Sequence, residues 1–318
     1  MSAPPLIELQ APDITPWRLG NAGVEYVHVL DSGRAGPNVL VQALTHGNEI
    51  CGALALVHLF KQGVVPLRGK LTLVFANVEA FERFDPADPN VSRYVDEDLN
   101  RVWADAVLFG ARDSVELRRA RALRPFVDAA DLLLDIHSMG EPCRPLMVCG
   151  QVDKNAAYAR ELGTPGDVLL DTGHPAGLRM IERGGFGDAA SPKRALLIEC
   201  GQHWERSAEQ VAIDTLMRFL ALTGVVDVAW AQARFVLPLP PTQQVVRVTE
   251  AVVARSLDFH FLVPMVAMSS VARAGTPIAQ DGEHVWRAPY DNTVLVMPGL
   301  AHLKAGNTMV RLGRFVDF

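Results

Sequence analysis

Apolar residues in this chain follow two rhythms, and the change between them falls in the last third. In the first part, short unbroken apolar runs alternate with stretches of helical spacing. Asn38–Leu44 reads as a buried strand; Ile50, Leu54, Val57 and Phe60 then share one helical face, which Gly63 ends. Lys70–Phe75, Leu132–Ile136, Leu146–Cys149 and Ala195–Cys200 are further buried strands. Asp113, with Glu116 three residues on, predicts the start of a helix running to about Asp128. Ser207 and Gln210 predict a capping box for a helix with Ala212, Leu216, Phe219 and Leu220 on one face. Strands alternating with helices predict an α/β fold with a mostly parallel sheet covered on both sides.

One stretch, Phe81 to Asp98, shows neither period; it is polar and contains proline. A loop that long in a compact domain is usually functional or disordered. Pro238-Leu239-Pro240-Pro241 reads as a linker, and beyond it the helical period disappears. Val245–Val253 and Val294–Met297 are predicted strands, with turns at Ala274-Gly275, Asp281-Gly282 and Pro298-Gly299. The expected organisation is a catalytic domain over residues 1–230 and an all-β domain over 231–318.

At 318 residues, 49% hydrophobic and 21% charged, the composition is that of an ordinary globular protein. A formal net charge of −6 argues against a broad nucleic-acid surface. No apolar stretch is long enough to span a bilayer, so no membrane partner is expected. The four cysteines, Cys51, Cys143, Cys149 and Cys200, form no CxxC pair, so neither a zinc finger nor a disulfide scaffold is indicated. Met1 to Trp17 lacks a basic-then-apolar signal, which makes the cytoplasm the default location. A homo-oligomer is left open.

The chemistry concentrates at strand exits, where open α/β sheets place their sites. His46 and Glu49, three residues apart after the first apolar run, can be aimed at one point by a tight turn. His137 closes the run Leu132–Ile136. Two histidines and a glutamate would hold zinc and leave its fourth position for water. The plainer alternative makes His46 a turn residue and Glu49 an acid at a helix N-terminus. His28, His58, His174, His203, His260, His284 and His302 show that histidine alone decides nothing. Glu199 ends the strand Ala195–Ile198 and is either a proton acceptor near a metal or an acid ending a strand in solvent. Asn100 and Arg101, with Arg93 eight residues before Arg101, offer an amide and two guanidiniums for a carboxylate or an oxyanion.

Taken in order, Thr45-His46-Gly47-Asn48-Glu49, Ser92 through Arg101, Asp135-Ile136-His137-Ser138 and Ile198-Glu199-Cys200-Gly201 resemble the succinylglutamate desuccinylase/aspartoacylase family of the zinc-carboxypeptidase superfamily. The likeness spans roughly residues 38 to 220, and Ala288-Pro289 through Pro298, with the turn near Gly275, is similar too. The resemblance implies an α/β/α sandwich followed by a β domain that narrows the entrance. It implies one Zn2+ on His46, Glu49 and His137, with Glu199 activating the zinc water and returning a proton to the leaving amine. Arg93 would stabilise the oxyanion, Asn100 and Arg101 would hold a substrate carboxylate, and Tyr290 corresponds to a late tyrosine reaching into the site.

The chain also departs from the family pattern. Aspartoacylases proper carry a tyrosine and an arginine shortly before the catalytic glutamate. Here the arginine spacing falls on Ala189, and no tyrosine lies between Tyr158 and Glu199. Arg179, Arg183 and Arg194 are the candidates to substitute, and Arg144 is expected on the surface. The glycine turns resemble biotinyl hammerheads, but without Met-Lys-Met a carrier role is disfavoured. The leading expectation is a zinc-dependent deacylase of a small N-acyl amino acid. A peptide carboxypeptidase and a non-catalytic metal-binding relative are the alternatives.

Overall fold

Continuous burial of the central strands, with successive side chains facing opposite apolar layers, makes a three-layer arrangement. A computed structural model describes residues 6–171, 173, 176–300 and 303–317; the first five residues, His174 and His302 lie outside the described residues. The N-terminal strands are β1 (Val27–Asp31), β2 (Asn38–Ala43), β3 (Lys70–Phe75), β4 (Leu132–Met139), β5 (Leu146–Val148), β6 (Asp167–Leu170) and β7 (Arg194–Gln202). The helices are α1 (Ile50–Lys61), α2 (Val78–Phe81), α3 (Asp105–Leu108), α4 (Val115–Ala129), α5 (Asp153–Leu162), α6 (Arg206–Thr223) and α7 (Val228–Gln232). Val39, Val41 and Ala43 of β2 join one apolar layer with Leu56 and Leu59 of α1 and Leu216 and Phe219 of α6. Leu40, between them, joins the opposite layer with Leu117, Leu123 and Val127 of α4. The same alternation runs along β7, where Leu196 and Ile198 face the first layer and Ala195 and Leu197 the second.

Both predicted capping boxes are replaced by other contacts. Ser114, not Asp113, caps α4, its Oγ accepting from the Leu117 N–H at 3.0 Å. Asp113 pairs instead with the Arg118 side chain. Glu116 is fully buried and accepts the backbone N–H groups of Val95, Asp96 and Glu97 at 2.6–3.1 Å. A buried carboxylate thus orders the stretch that lacked any period. Helix α6 begins at Arg206 behind Glu205, and Ser207 bonds the Glu205 carboxylate rather than a backbone donor.

The C-terminal strands are β8 (Gln244–Val253), β9 (His260–Phe261), β10 (Ser270–Val271), β11 (Pro277–Asp281), β12 (His284–Arg287), β13 (Thr293–Val296) and β14 (Thr308–Val316). The large sheet has eleven strands in the order β1-β3-β2-β4-β7-β5-β6-β8-β14-β13-β10, and β12-β11-β9 form a second sheet. Its β3-β2-β4-β7 centre is parallel, whereas β8, β14, β13 and β10 pair antiparallel with one another. A parallel β6–β8 pairing, Asp167 opposite Gln244, carries the sheet across the proline-rich segment. The C-terminal strands still bury a cluster of their own, including Val252, Phe259, Ile278 and Leu312. Among the described residues, no helix is long and apolar enough to cross a membrane.

Candidate active site

Three parallel neighbours, β2, β4 and β7, end at one edge, and register decides which side chains meet there. Ala43 lies opposite Ile136, and His137 opposite Glu199. Strand β4 continues through His137 to Met139, so this histidine sits inside a strand rather than after one. Past β2 the chain turns sharply at Leu44, whose φ is 60°. A Cβ on Gly47 would lie 2.4 Å from the Phe81 nitrogen and from the Ser92 oxygen, so only glycine permits this approach. The Gly47 N–H donates to the Arg93 carbonyl at 3.1 Å, which fixes the Arg93 segment against the His46–Glu49 turn.

Glu49 stands at the start of α1 but caps nothing with its side chain. One carboxylate oxygen lies 2.7 Å from His46 Nδ1 and the other 2.9 Å from His137 Nδ1. Each ring has a second carboxylate on its far nitrogen. Asp98 Oδ1 is 3.0 Å from His46 Nε2, and Asp135 Oδ2 is 2.8 Å from His137 Nε2. Asp135 accepts in turn from the Thr45 hydroxyl, which accepts from the Gln42 amide, each at 2.8 Å. At His137 the Asp135 carboxylate on Nε2 would hold a proton there and leave the Nδ1 lone pair for the shared point, the arrangement metal-ligating histidines use. The donor atoms of His46, Glu49 and His137 lie within 4.8 Å of one another, and all three residues are buried. Two imidazoles and one carboxylate fit a catalytic zinc site with three protein ligands.

The electrostatics follow from crowding these groups out of water. Burial pushes the Glu49 carboxyl up, but the two imidazoles beside it hold it well below its ordinary value. Burial disfavours a charged His137, yet Asp135 and Glu49 hold it well above the ordinary imidazole value. Glu199 behaves differently. Burial, with the Glu49 charge adding to it, raises its carboxyl to about 8 against the pull of His137 and Arg93. Its Oε2 is buried and has no hydrogen-bond partner. Arg93 leans over the group, its guanidinium 3.1 Å from His46 Nε2, 3.4 Å from Asp98 and 3.6 Å from Glu49.

His46, Glu49, Arg93, His137 and Glu199 line a cavity of about 280 Å³ together with Asn100 and Arg101. Asn100 Oδ1 accepts from the Met180 N–H at 3.0 Å, which leaves its amide hydrogens to offer. Arg101 is thinly paired: Nη1 donates to the Asn100 carbonyl at 2.7 Å, Nη2 is 3.7 Å from Asp98, and buried Nε has no partner. Of the arginines considered for substitution, only Arg179 lines the cavity, and it is saturated by Asp171 and Glu182. Arg183 pairs with Asp105 and Asp128, and Arg194 with Glu161. Arg144 is exposed beside Asp167. Tyr290 does not line this cavity; its hydroxyl is 2.7 Å from Thr249 Oγ1, and Arg314 covers its ring.

Three contributors were given no role from the sequence. Arg311 of β14 lines the cavity 3.5 Å from Asp171, a carboxylate that Arg179 already holds at both oxygens. Nothing near residue 311 announces this, because β14 reaches the site only through sheet pairing. His203 is bonded to Ser138 at 2.8 Å, and burial pushes it down to about 4, so a neutral imidazole faces the cavity. Asp135 did leave a signal. It precedes His137 by two residues, and i and i+2 in a strand share a face.

The family model of the succinylglutamate desuccinylase/aspartoacylase catalytic domain matches residues 35–221, more than half of the sequence. The chain belongs to this family. It is accordingly a hydrolase of the desuccinylase/aspartoacylase type, acting on amide bonds. No curated protein matches the sequence. Among solved structures, succinylglutamate desuccinylase from Vibrio parahaemolyticus superposes with a TM-score of 0.67 at 19% identity, covering 92% of this chain and 87% of that one. The product-bound ectoine utilization protein EutE (DoeB) from Ruegeria pomeroyi gives 0.62 at 18% identity, covering 91% and 89%. A succinylglutamate desuccinylase/aspartoacylase from Rhodobacter sphaeroides gives 0.62 at 16%, covering 93% and 90%. At these identities the structures establish the family's fold.

Proposed function

We propose that this family member is a zinc-dependent deacylase that hydrolyses the amide bond of a small N-acyl amino acid. The observation that carries this reading is the unpartnered Glu199 carboxylate, set beside three convergent ligands and raised to about 8. Binding zinc would not require such a group; moving a proton would. His46, Glu49 and His137 would hold the metal, which supplies Lewis acidity and an acidified water when bound.

The remaining steps belong to the chain's own residues. Glu199 takes a proton from the attacking water and returns it to the departing amine nitrogen. Arg93 hydrogen-bonds the carbonyl oxygen as it gains negative charge. Asn100 and Arg101 grip the substrate carboxylate, and Arg311 adds a cation on the same side of the cavity. The neutral imidazole of His203 offers a hydrogen bond without adding charge.

Residues 231–318 would act as a separate unit capping the entrance. Val296, Met297, Thr308 and Arg311 from this region line the cavity, whose volume of about 280 Å³ suits a small acid better than a peptide. The deciding experiment is hydrolysis of N-acetyl, N-succinyl and N-formyl amino acids beside short peptides, comparing wild type with Glu199→Gln. Cleavage of a free acylated amino acid, lost in the variant and after chelation, is expected. Trimming of peptides alone would hand the site to the carboxypeptidase reading.

A further inference from the structure

A second cavity of about 200 Å³ adjoins the active one, and its character is different. Met139, Cys143, Met265, Met297 and Met309 form much of its wall. The two cavities share Met139, Gly140, Met297 and Thr308, so one opens beside the other. Among the described residues lining this annex there is no lysine, arginine or histidine, and Glu141 is its one charged group. Burial pushes the Cys143 thiol up to about 12, so it stays neutral. Arg101, Arg179 and Arg311 all line the active cavity and none lines the annex.

The site therefore has a cationic pole and an apolar pole. In an N-acyl amino acid the carboxylate and the acyl chain lie on opposite sides of the scissile amide. A carboxylate on Asn100 and Arg101 sends the acyl chain away from the arginines. We propose that the annex receives this chain, and that the enzyme prefers an unbranched apolar acyl group of intermediate length over acetyl or succinyl. At roughly 30 Å³ for each methylene-sized group, the annex accommodates about six of them. Thioether side chains suit such a wall, because they adapt to chains of different length. A succinyl group would carry its second carboxylate into a wall with no cation and towards Glu141.

This inference rests on the deacylase reading, and two measurements separate their failures. The first is kcat/KM for the N-acetyl, N-butyryl, N-hexanoyl and N-succinyl forms of one amino acid, in wild type and in Ala267→Trp. Ala267 lines the annex but not the active cavity, so tryptophan there fills the annex alone. Burial favours each added methylene by about fourfold, and hexanoyl should exceed acetyl by at least about tenfold. Ala267→Trp should bring that ratio close to one while acetyl turnover stays. Met265→Trp, at a side chain already 46% exposed, provides the same test if the first variant melts early. A ratio indifferent to both substitutions, or succinyl cleaved as well as hexanoyl, overturns the annex. The second measurement is calorimetric binding of the acetyl and hexanoyl compounds to Glu199→Gln. Tighter hexanoyl binding without any wild-type turnover would keep the annex and sink the deacylase. Equal or absent binding of the two would overturn the annex whatever the turnover.

Discussion

The two sides of the cavity are built from different distances along the chain, and they differ in how well their polar groups are satisfied. The proposed metal side comes from β2, β4 and β7, adjacent parallel strands with fixed register. There each histidine has a carboxylate on both ring nitrogens, and a relay runs back through Thr45 to Gln42. The opposite side combines the Asn100–Arg101 segment with β14, and its guanidiniums share carboxylates already committed elsewhere. The histidine–carboxylate network holds its rings in place, although Glu199 Oε2 and Gln42 Oε1 beside it lack partners, whereas a buried, thinly paired cation favours an incoming anion. The contrast suggests that the sandwich fixes the chemistry and that the C-terminal strands tune the substrate.

The strongest way to break this division is to remove a group on the metal side. Glu199→Gln keeps the shape of the side chain and loses the proposed base. Its kcat should fall by about 10²–10⁴-fold with metal content unchanged by elemental analysis. Arg93→Ala should follow, losing about 10²–10³-fold in kcat with little change in KM. Loss of metal from either variant would show that chemistry and metal holding are not separable here. One layer further out, Asp135→Asn removes the carboxylate that orients His137. Metal affinity should drop about 10–100-fold in a chelator competition. An unchanged affinity would make Asp135 a bystander.

How much of this was legible in the sequence follows the same division. Five sandwich strands, β2, β3, β4, β5 and β7, were readable because each is a short apolar run, whereas β1 and β6 had no reading in the sequence. His46, Glu49, His137 and Glu199 lie at or just past the ends of those runs, so local pattern singled them out. Helix starts were less legible. Glu116 satisfied a local capping pattern, yet it turned inward to bind three backbone N–H groups of the 95–97 segment, a long-range partner no local rule supplies. Arg311 was invisible for a related reason: its place depends on β14 pairing with β8 and β8 with β6. Tyr290 was assigned by resemblance alone, and Thr249 holds its hydroxyl away from the cavity.

The cationic side should answer in affinity rather than rate. Arg101→Ala and Arg311→Met each remove a charged hydrogen-bond donor, and such bonds contribute about 1.5–3 kcal/mol. KM for an N-acyl amino acid should rise about tenfold or more in each variant, with kcat changed by less. Steady-state kinetics on the best substrate checks this. A collapse of kcat in Arg311→Met with KM intact would place Arg311 with the reacting groups and erase the distinction between the two sides.

The smallest expected effect concerns stability, and it isolates one carboxyl. Glu199 titrates near 8 in the metal-free fold, against an ordinary value of 4.5. Between those values the folded state binds a proton that the unfolded state has released, so folding is penalised as pH rises. The neutral carboxyl's contribution is whole below about pH 4.5 and is lost by the time the pH has passed 8. Glutamine has the same shape and never ionises. In metal-free protein, Glu199→Gln should therefore melt on the order of a few degrees above wild type at pH 8.5, and the gap should close at pH 5. Thermal melts of both proteins at the two pH values test it. A constant gap would mean that the carboxylate finds a compensating charge, and Glu199 would then lack the raised affinity for a proton that suits it to the general-base role.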